Sequence, residues 1–495
     1  MAGLPTIDVS DVTLFGNEAS ELEDEEVFFS YAVNRKELDQ FLNEKTAIQI
    51  ACSYKGEGKS GLLRLVRRRL AGKPDSPLVI SAIGTDLSPS LNSDDSDEWT
   101  RAWKERIVRL IASEIGTRIG VALTDDTMSL VEHAELAGFK SRSIVSALFD
   151  RIKTPMAQVT RERLGIENPE RLLQRYANGK STIWLIVDDV DQNFENTARH
   201  RLKVATFFIA CRQLAVSVPE LRFRMSVRPN IWAILKRQFE GLSSHLQQYI
   251  CDLTWTADDY RTLLARRVQS YLERKNQWAN TKKFFAPDQT KRERQLIALA
   301  FEDPMPWGGD LRMRSPHVIL HTLSKHRPRW LVELCKEAAK GLRVAKRTKI
   351  GLDQITAVLP AFGQRRIDDA IAEFNSQCPQ VSELLSAFSR QNERYTTDEL
   401  IKTLRNRVVG AVHPQIVGIT PPVSEVEVAH FLFQIGFLTA RRDFTDEHYE
   451  HLAYADAPHL LKDRTNLDDG VTWEIHPVYR QTLKLQNVPT KLQKK

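Results

Sequence analysis

The sequence has few cysteines and no long apolar run. Its 495 residues include five cysteines, and no two of them form a C-x-x-C pair. This spacing argues against a disulfide framework and against a zinc site. No apolar stretch approaches the length of a membrane span, and the N-terminus lacks the basic and apolar pattern of a signal peptide. We therefore expect a cytoplasmic protein that makes no membrane contact.

The sequence also lacks any nuclease, protease, deaminase or TIR-like signature. If the biological role of the chain is to damage nucleic acid or a cell, we expect the damaging activity to belong to a partner protein. The length is sufficient for two or three domains with more than one core.

Charge is distributed unevenly, although the net charge is only +6. Residues 1–30 contain eight acidic residues and no Lys or Arg. We expect them to form a partly disordered acidic arm that packs against a basic surface of this chain or of a neighbouring copy. Residues 261–294 contain ten Lys and Arg against three acids, and residues 325–349 contain nine against two. A basic C-terminal half is compatible with nucleic acid, although basic helices are more often plain solvated faces.

A short apolar run at residues 47–52 leads into a loop of small residues that ends Gly-Lys-Ser at residues 58–60, and a helical pattern follows at once. This order of strand, loop and helix is typical of a phosphate-binding P-loop. Glycine allows the loop backbone to turn its N–H groups toward a polyphosphate at the positive end of the helix. The residues predicted to bind the nucleotide are Ser53, Gly56, Gly58, Lys59, Ser60 and Gly61.

Two side chains of this loop have specific predicted roles. Lys59 is expected to reach the β- and γ-phosphates, and the Ser60 hydroxyl is expected to bind Mg²⁺. The usual pattern, G-x-x-x-x-G-K-[ST], has glycine where this chain has Ser53. Serine is small and polar, so the turn can survive, but a loop that binds nucleotide without turning it over stays open as an alternative.

Residues 182–187 are six apolar or β-branched residues in a row, as in a strand that is buried on both faces of a parallel sheet. Asp188 and Asp189 follow where that strand would leave the sheet. The pattern is typical of a Walker B strand, in which Asp188 completes the Mg²⁺ shell and Asp189 polarises the attacking water. The alternative is a buried strand that ends in a solvated acidic turn.

The chain divides into four predicted segments. These are the acidic arm at 1–30, a P-loop core at 31–255, a helical lid at 256–358 and a helical, winged-helix-like domain at 359–495. The 129 residues from Lys59 to Asp188 predict a helical insertion at about 88–178. Residues 253–255 are expected to form the last core strand, and residues 471–480 a strand and turn of a short β-hairpin.

Together, the P-loop at Lys59, the acidic strand end at Asp188, the strand that ends at Arg228 and the C-terminal hairpin resemble the AAA+/STAND division of P-loop ATPases. The chain is similar in particular to bacterial members with C-terminal winged helices, several of which are associated with anti-phage defence or DNA transactions. The resemblance implies an α/β fold: a P-loop NTPase parallel sheet core with a helical insertion, a helical lid and a C-terminal winged-helix-like domain.

The resemblance also implies roles for three further segments. Arg228, with Ser226 as the other candidate, would sense the γ-phosphate from the strand after Walker B, where a guanidinium can pair with phosphate in a fork. Arg329, with Arg327 as second choice, would do so from the start of a lid helix. Helix 33–42 would help to cover the adenine. Each of these segments also has a purely structural alternative.

AAA+ motors usually have glutamate at the position of Asp189, whereas an Asp-Asp pair is common in STAND switches. The resemblance therefore implies a homo-oligomeric switch that binds ATP and Mg²⁺, hydrolyses ATP, and changes conformation or assembly to control an effector protein in anti-phage defence. One alternative is an ATP-gated loader or regulator that contacts DNA through the winged helix and basic lid. Another is a scaffold that binds nucleotide without hydrolysis.

Overall fold

The computed structural model describes residues 4–73, 77–118, 169–178, 182–308, 312–444, 449–462 and 467–487. The chain divides into two compact units, one of residues 34–253 and one that joins residues 1–33 to residues 254–495. Within the described ranges, no helix has both the length and the apolar character needed to cross a membrane.

Helices and strands alternate in the first half of the chain, and helices dominate the second half. The helices up to residue 253 are α1 (Glu25–Tyr31), α2 (Lys36–Phe41), α3 (Lys59–Ala71), α4 (Gly84–Leu87), α5 (Ser96–Arg118), α6 (Pro169–Ala177), α7 (Ala198–Ser217), α8 (Pro229–Gln238) and α9 (Glu240–His245). The later helices are α10 (Ala257–Arg274), α11 (Trp278–Thr281), α12 (Gln289–Ala300), α13 (Pro316–Leu323), α14 (Pro328–Lys340), α15 (Leu342–Ala345), α16 (Leu352–Phe374), α17 (Val381–Ser386), α18 (Thr397–Leu404), α19 (Gly410–Val412), α20 (Glu425–Gln434) and α21 (Pro477–Arg480). The strands are β1 (Ile48–Cys52), β2 (Leu78–Ile83), β3 (Ile183–Asp188), β4 (Leu221–Val227), β5 (Ile250–Asp252), β6 (Met305–Trp307), β7 (Arg312–Arg314), β8 (Arg394–Tyr395), β9 (Leu438–Asp443), β10 (Tyr449–Leu452) and β11 (Thr472–Ile475).

The unit of residues 34–253 is built on a five-stranded sheet with the order β2-β3-β4-β1-β5. All four pairs of neighbouring strands are parallel. Parallel neighbours need crossover connections, and the helices of those crossovers cover the sheet, so its central strands are buried and apolar. The sheet confirms the predicted α/β fold class with a P-loop NTPase parallel sheet core.

Helices α5 and α6 lie at the two ends of the predicted insertion. Their apolar residues belong to the core of this unit: Trp103 is fully buried, its ring centroid lies 5.1 Å from that of Phe207 on α7, and its Nε1 donates to the Lys203 carbonyl at 2.9 Å. Leu173 on α6 joins the same apolar cluster. The middle of the predicted insertion, residues 119–168, lies outside the described residues.

The prediction of the last core strand at residues 253–255 is wrong by three positions. Strand β5 pairs with β1 in a register that joins Ile50 to Ile250 and Cys52 to Asp252. The Leu253 amide still donates to the Cys52 carbonyl at 3.1 Å. Leu-Thr-Trp has high β-propensity, but β1 ends at Cys52, so the sheet offers no further partner to the residues that follow.

The second unit contains the helices that the sequence predicts to form a lid. Helix α10 starts at a capping box, in which Thr256 and Asp259 satisfy each other's backbone N–H groups. A buried ion pair joins α14 to α16, because Arg327 Nη1 lies 2.9 Å from Glu373 Oε2 and both side chains are almost inaccessible. The Arg327 guanidinium also lies 4.4 Å from the ring centroid of Trp330.

The C-terminal part of this unit contains a four-stranded sheet with the order β10-β9-β11-β8, in which every pair is antiparallel. Helices α18 and α20 begin with capping boxes at Thr396 and Ser424. Trp473 on β11 is fully buried, stacks edge-on against Phe433 of α20 at 5.2 Å, and donates its Nε1–H to Thr397 at 2.9 Å. The sheet is larger than the short hairpin predicted from residues 471–480.

Candidate nucleotide site

The loop between β1 and α3 has the backbone of a phosphate-binding turn. Gly56 and Gly58 have φ angles of 86° and 96°, a left-handed conformation that disfavours any residue with a Cβ atom. Gly58 is the N-cap of α3, and its carbonyl accepts the Leu62 amide at 2.9 Å. The φ angle of Ser53 is not positive, so the position where the usual motif has glycine does not require it here.

Lys59 is buried and its ammonium group is folded back over the loop. Its Nζ donates to the carbonyl oxygens of Ser53 at 2.5 Å and Tyr54 at 3.2 Å. Glu57 supports the same turn, since its Oε2 accepts the Tyr54 amide at 2.7 Å. The loop therefore holds a cation among its own carbonyls, and phosphate oxygens are stronger acceptors for an ammonium group than neutral carbonyls are.

Ser53 contributes a polar atom that the fold leaves unused. The residue is 2% exposed, and its Oγ has no hydrogen-bond partner among the described residues. A buried hydroxyl without a partner costs about 1–3 kcal/mol. Such an atom fits a loop that receives a phosphate, because phosphate oxygens can accept the unused proton.

Asp188 and Ser226 meet at the ends of neighbouring strands. The register pairs Val187 with Met225, so the next residue of each strand is adjacent to the other. The Ser226 hydroxyl donates to Asp188 Oδ1, and the Asp189 amide donates to the same oxygen at 3.0 Å. The other candidate sensor of the sequence, Ser226, thus contacts the predicted metal ligand directly.

Asp189 follows in a strained conformation. Its φ angle is 55°, a left-handed value that costs a non-glycine residue roughly 1 kcal/mol and that aspartate tolerates better than most. Its side chain is partly exposed. Strained residues concentrate at functional sites, so the geometry is compatible with the predicted role of Asp189 toward the attacking water.

Arg228 and Asp191 form an ion pair that the sequence did not predict. The Asp191 side chain is only 3% exposed, and its Oδ2 accepts the Arg228 amide at 2.8 Å and the Arg228 Nε at 3.0 Å. Arg228 Nη2 also donates to the Asp191 carbonyl. This pair fastens the turn after β3 to the end of β4. The role of Arg228 toward a γ-phosphate stays a prediction. The sequence signal for its partner was Asp191, the third aspartate of the run Asp-Asp-Val-Asp at residues 188–191.

Strand β4 brings these groups to one edge of the sheet. It lies between β1, which leads into the P-loop, and β3, which ends at Asp188. Ligands of open parallel sheets bind outside the carboxyl ends of the strands, and Lys59, Asp188, Ser226 and Arg228 all follow or end such strands.

Two further arginines support this unit without belonging to the predicted site. Arg224 in β4 is fully buried and donates to the carbonyls of Phe41 at 2.6 Å and Asn43 at 2.8 Å, which fastens the end of α2 to the sheet. Burial, with a smaller effect of Arg222, lowers the pKa of Arg224 to about 9. Arg35 pairs with the buried Glu37 at 2.9 Å at the start of α2. The sequence signal for the Arg224 contacts was an arginine within an otherwise largely apolar strand.

Arg329 lies in the first turn of α14, in the other unit. Its Nη2 is 2.7 Å from Glu21 Oε1 of the acidic arm. Its predicted role as a γ-phosphate sensor stays a prediction. The second choice, Arg327, is buried in its pair with Glu373.

No protein-family profile matches the chain, and no curated protein matches it. Solved structures give weak likenesses. A Walker-type ATPase of Pyrococcus abyssi is 12% identical, covers 90% of this chain and 99% of its own length, and has a TM-score of 0.39. The Aeropyrum pernix ORC2 protein, solved as ADPNP–ADP complexes, is 10% identical over 93% of this chain and 91% of its own, with a TM-score of 0.40. The A. pernix ORC1 protein, solved in complex with DNA, is 13% identical over 93% and 96%, with a TM-score of 0.32.

Because these TM-scores are below 0.5, the fold assignment rests on the chain's own geometry. The order of β1, loop and α3 with two left-handed glycines before Lys59 gives a P-loop, and the parallel strand order places Asp188 and Ser226 at the same edge of the sheet. The chain thus has the α/β fold of a P-loop nucleoside triphosphatase.

Proposed function

We propose that the chain is a molecular switch that binds ATP with Mg²⁺ and hydrolyses it. The observation that carries this proposal is that the P-loop, Asp188, Asp189 and Ser226 lie at the same edge of a parallel sheet. Catalysis at such a site consists of positioning and electrostatic stabilisation, with no covalent intermediate.

Each residue of the site has a specific task in this proposal. Lys59 and the loop N–H groups hold the phosphates, while Ser60 and Asp188 hold Mg²⁺, which neutralises charge that develops on the phosphate oxygens. Mg²⁺ is usually bound by one or two protein oxygens together with phosphates and waters, so this small donor set fits it. Ser226 orients Asp188, and Asp189 accepts a hydrogen bond from the attacking water.

The switch transmits the state of the nucleotide through the turn that Arg228 and Asp191 fasten. A γ-phosphate attracts the Arg228 guanidinium, which is now paired with Asp191, so exchange of ATP for ADP changes how this turn is held. The output is a change of conformation or oligomeric state that controls an effector protein, and we place this output in anti-phage defence.

The test compares ATP turnover by the wild type, Asp189→Asn and the control Asp86→Asn. Asp86 is an exposed aspartate in the same unit. We expect Asp189→Asn to lower the turnover rate roughly 100-fold or more, because the amide is a much weaker acceptor for the water proton, and to keep ATP affinity. The control should turn over ATP like the wild type. Equal turnover by all three proteins would contradict the proposed role of Asp189.

A second candidate function is ATP-gated DNA binding. Two observations favour it: the antiparallel sheet β10-β9-β11-β8 with helices α18 and α20 has the elements of a winged helix, and basic side chains such as Lys340, 69% exposed, cover the lid. Phosphate contacts release counterions, so DNA affinity should fall steeply as salt concentration rises. Absent or salt-insensitive binding of duplex DNA would contradict this function.

A further inference from the structure

The acidic arm is seated on the basic lid helices of its own unit. Glu21 pairs with Arg329 at 2.7 Å and Glu18 pairs with Lys336 at 3.4 Å, both on α14. Nearer the N-terminus, Asp11 Oδ2 lies 3.0 Å from the ammonium of Lys275. Acidic side chains of the arm therefore neutralise part of a surface that the sequence marks as strongly basic.

The arm is anchored firmly at both ends. Before the middle segment, Phe15 is 2% exposed, its ring lies 6.0 Å from that of Phe301, and its carbonyl accepts from buried Arg267. After it, Phe28 and Tyr31 are buried, and the Tyr31 ring centroid lies 3.9 Å from the Arg267 guanidinium. Burying a phenylalanine side chain contributes about 1.5–3 kcal/mol, so these ends are stable attachments.

The middle of the arm, residues 16–24, is held much more weakly. Its two ion pairs to α14 are solvent-exposed, with Glu18 and Glu21 side chains 41% and 49% accessible, and Leu22 is 73% exposed. Glu23 faces inward instead, where its Oε2 accepts the Asn17 amide at 2.6 Å and the Tyr31 hydroxyl at 3.1 Å, so Glu23 stays with the second anchor. Exposed ion pairs are weak and are screened by salt, so this segment can leave α14 while both anchors stay in place.

The face of α14 under this segment suits a line of phosphates. Arg329 and Lys336 are seven residues apart, which places them on one face about 10 Å from each other along the axis. Exposed Arg343 continues the basic surface on α15, where its Nε lies 3.2 Å from Ser10 Oγ. A duplex carries one negative charge per about 1.7 Å of its axis, so it can replace both glutamates at once and gain the release of counterions.

We propose that Arg329 and Lys336 form a DNA-backbone contact face that residues 16–24 of the acidic arm cover, and that DNA binds there by displacing Glu18 and Glu21. This inference rests on the second proposed function, DNA binding by the C-terminal half. It adds that the chain carries its own competitor for DNA. The arm sets a threshold, because a short or weakly bound anion cannot displace two carboxylates that are tethered at both ends.

The test measures binding of a labelled duplex of about 30 base pairs to the full-length protein at low salt. The variants are Glu18→Gln/Glu21→Gln, Lys336→Gln and the matched control Glu25→Gln/Glu26→Gln, which removes the same charge from the arm and keeps both ion pairs to α14. We expect the first double variant to bind roughly 3–10-fold more tightly than the wild type, and Lys336→Gln to bind roughly 2–5-fold more weakly. The control should lie within about twofold of the wild type.

The outcomes separate this inference from the function on which it rests. Equal affinity of the wild type and Glu18→Gln/Glu21→Gln would overturn the arm as a competitor while DNA binding itself stood. If Glu25→Gln/Glu26→Gln bound DNA equally tightly, the arm as a competitor would also be overturned. The gain in DNA affinity would then come from the loss of negative charge and not from the loss of the ion pairs to α14. Binding by none of the proteins would overturn both the inference and the second proposed function.

Hydrogen exchange supplies an independent readout of displacement in the wild type. The Leu22 amide donates to the Ala19 carbonyl at 3.1 Å and the Asn17 amide to Glu23, and because these bonds lie within the segment, their protection falls only when the segment loses the support of α14 and its turn opens. Addition of the duplex should accelerate exchange in residues 17–23 and leave α1 unchanged. Unaltered exchange in a protein saturated with DNA would overturn the proposal.

Discussion

The carboxyl edge of the parallel sheet and the centre of the C-terminal sheet both bury charged side chains. The two regions differ in how fully their buried polar atoms are paired with hydrogen-bond partners. At the sheet edge, Lys59 has two carbonyl partners and Ser53 Oγ has none among the described residues. In the C-terminal sheet, Glu474 is 5% exposed and accepts from Arg394 at 2.6 Å, Arg480 at 2.9 Å, Arg441 at 3.1 Å and His451 at 3.2 Å.

This difference makes the sheet edge the better candidate for a ligand site, although Thr472 Oγ1 in the C-terminal sheet is also buried without a partner among the described residues. Burial of charge alone does not identify function, because a fully satisfied network such as the one around Glu474 mainly fixes the geometry of its own strands. Unused donors and strained backbone, as at Ser53 and Asp189, are what a ligand can use. Substitutions around Glu474 in the C-terminal sheet should therefore mainly change the free energy of unfolding. Substitutions at the carboxyl edge of the parallel sheet should mainly change ATP affinity.

The largest stability effect is expected for Glu474→Gln. The variant leaves three guanidinium groups around a neutral amide, and breaking a buried ion network in this way costs about 3–5 kcal/mol. The free energy of unfolding, measured by denaturant titration, should fall by this amount, and ATP affinity should stay unchanged. Exposed Glu450 on β10 provides the control, since Glu450→Gln should change neither quantity. A loss of ATP affinity in folded Glu474→Gln would break the comparison.

The same carboxylate predicts a pH dependence of stability. Burial alone would raise the pKa of Glu474, but the hydrogen bond from His451 and the charges of Arg480 and Arg394 lower it well below its usual value. A depressed folded-state pKa contributes stability that is complete above the unfolded pKa, about 4.3, and is lost as the pH falls below it. Unfolding free energy should therefore decline below about pH 4.5 in the wild type and decline less in Glu474→Gln.

At the sheet edge, Lys59→Ala should weaken ATP binding and leave the free energy of unfolding almost unchanged, which is the opposite of the result expected for Glu474→Gln. Removal of the ammonium group should weaken ATP binding roughly 100-fold or more, which corresponds to about 3 kcal/mol, because no other side chain of the loop replaces its contact with the phosphates. The unfolding free energy of the nucleotide-free protein should change by less than about 1 kcal/mol, since Lys59 gives up only two carbonyl partners. Calorimetric titration with ATP measures the first quantity and denaturant titration the second. Lys55→Ala in the same loop is the control, and unchanged ATP affinity in Lys59→Ala would contradict the nucleotide site.

The sequence predicted the sheet edge better than the contacts behind it. The strand β3 and the loop before Lys59 follow from local patterns, six apolar residues and a small-residue turn, so both were found. The sequence predicted that the acidic arm packs against a basic surface, but it did not identify the individual partners of Arg228 and Arg329. Asp191 and Glu21 reach these arginines only through the tertiary fold. The wrong prediction of the last core strand has the same kind of cause. The end of β5 depends on where its partner β1 ends, and residues 253–255 contain no information about the length of β1.

The smallest changes in stability and ATP affinity are expected for Ser53→Ala, and this variant tests the comparison of the two regions most directly. Removal of a buried hydroxyl without a partner should raise the unfolding free energy of the nucleotide-free protein by about 0.5–1 kcal/mol and lower ATP affinity by roughly 2–5-fold, because the hydroxyl proton is available to a phosphate. Thr472→Val is the matched control. Thr472 Oγ1 on β11 is likewise buried without a partner among the described residues, so this variant should gain similar stability and keep full ATP affinity. Parallel thermal unfolding with and without ATP measures both quantities. If Ser53→Ala gained stability and lost no ATP affinity, the unused hydroxyl at the sheet edge would be a packing defect like that of Thr472, and unsatisfied polarity would not distinguish the two regions.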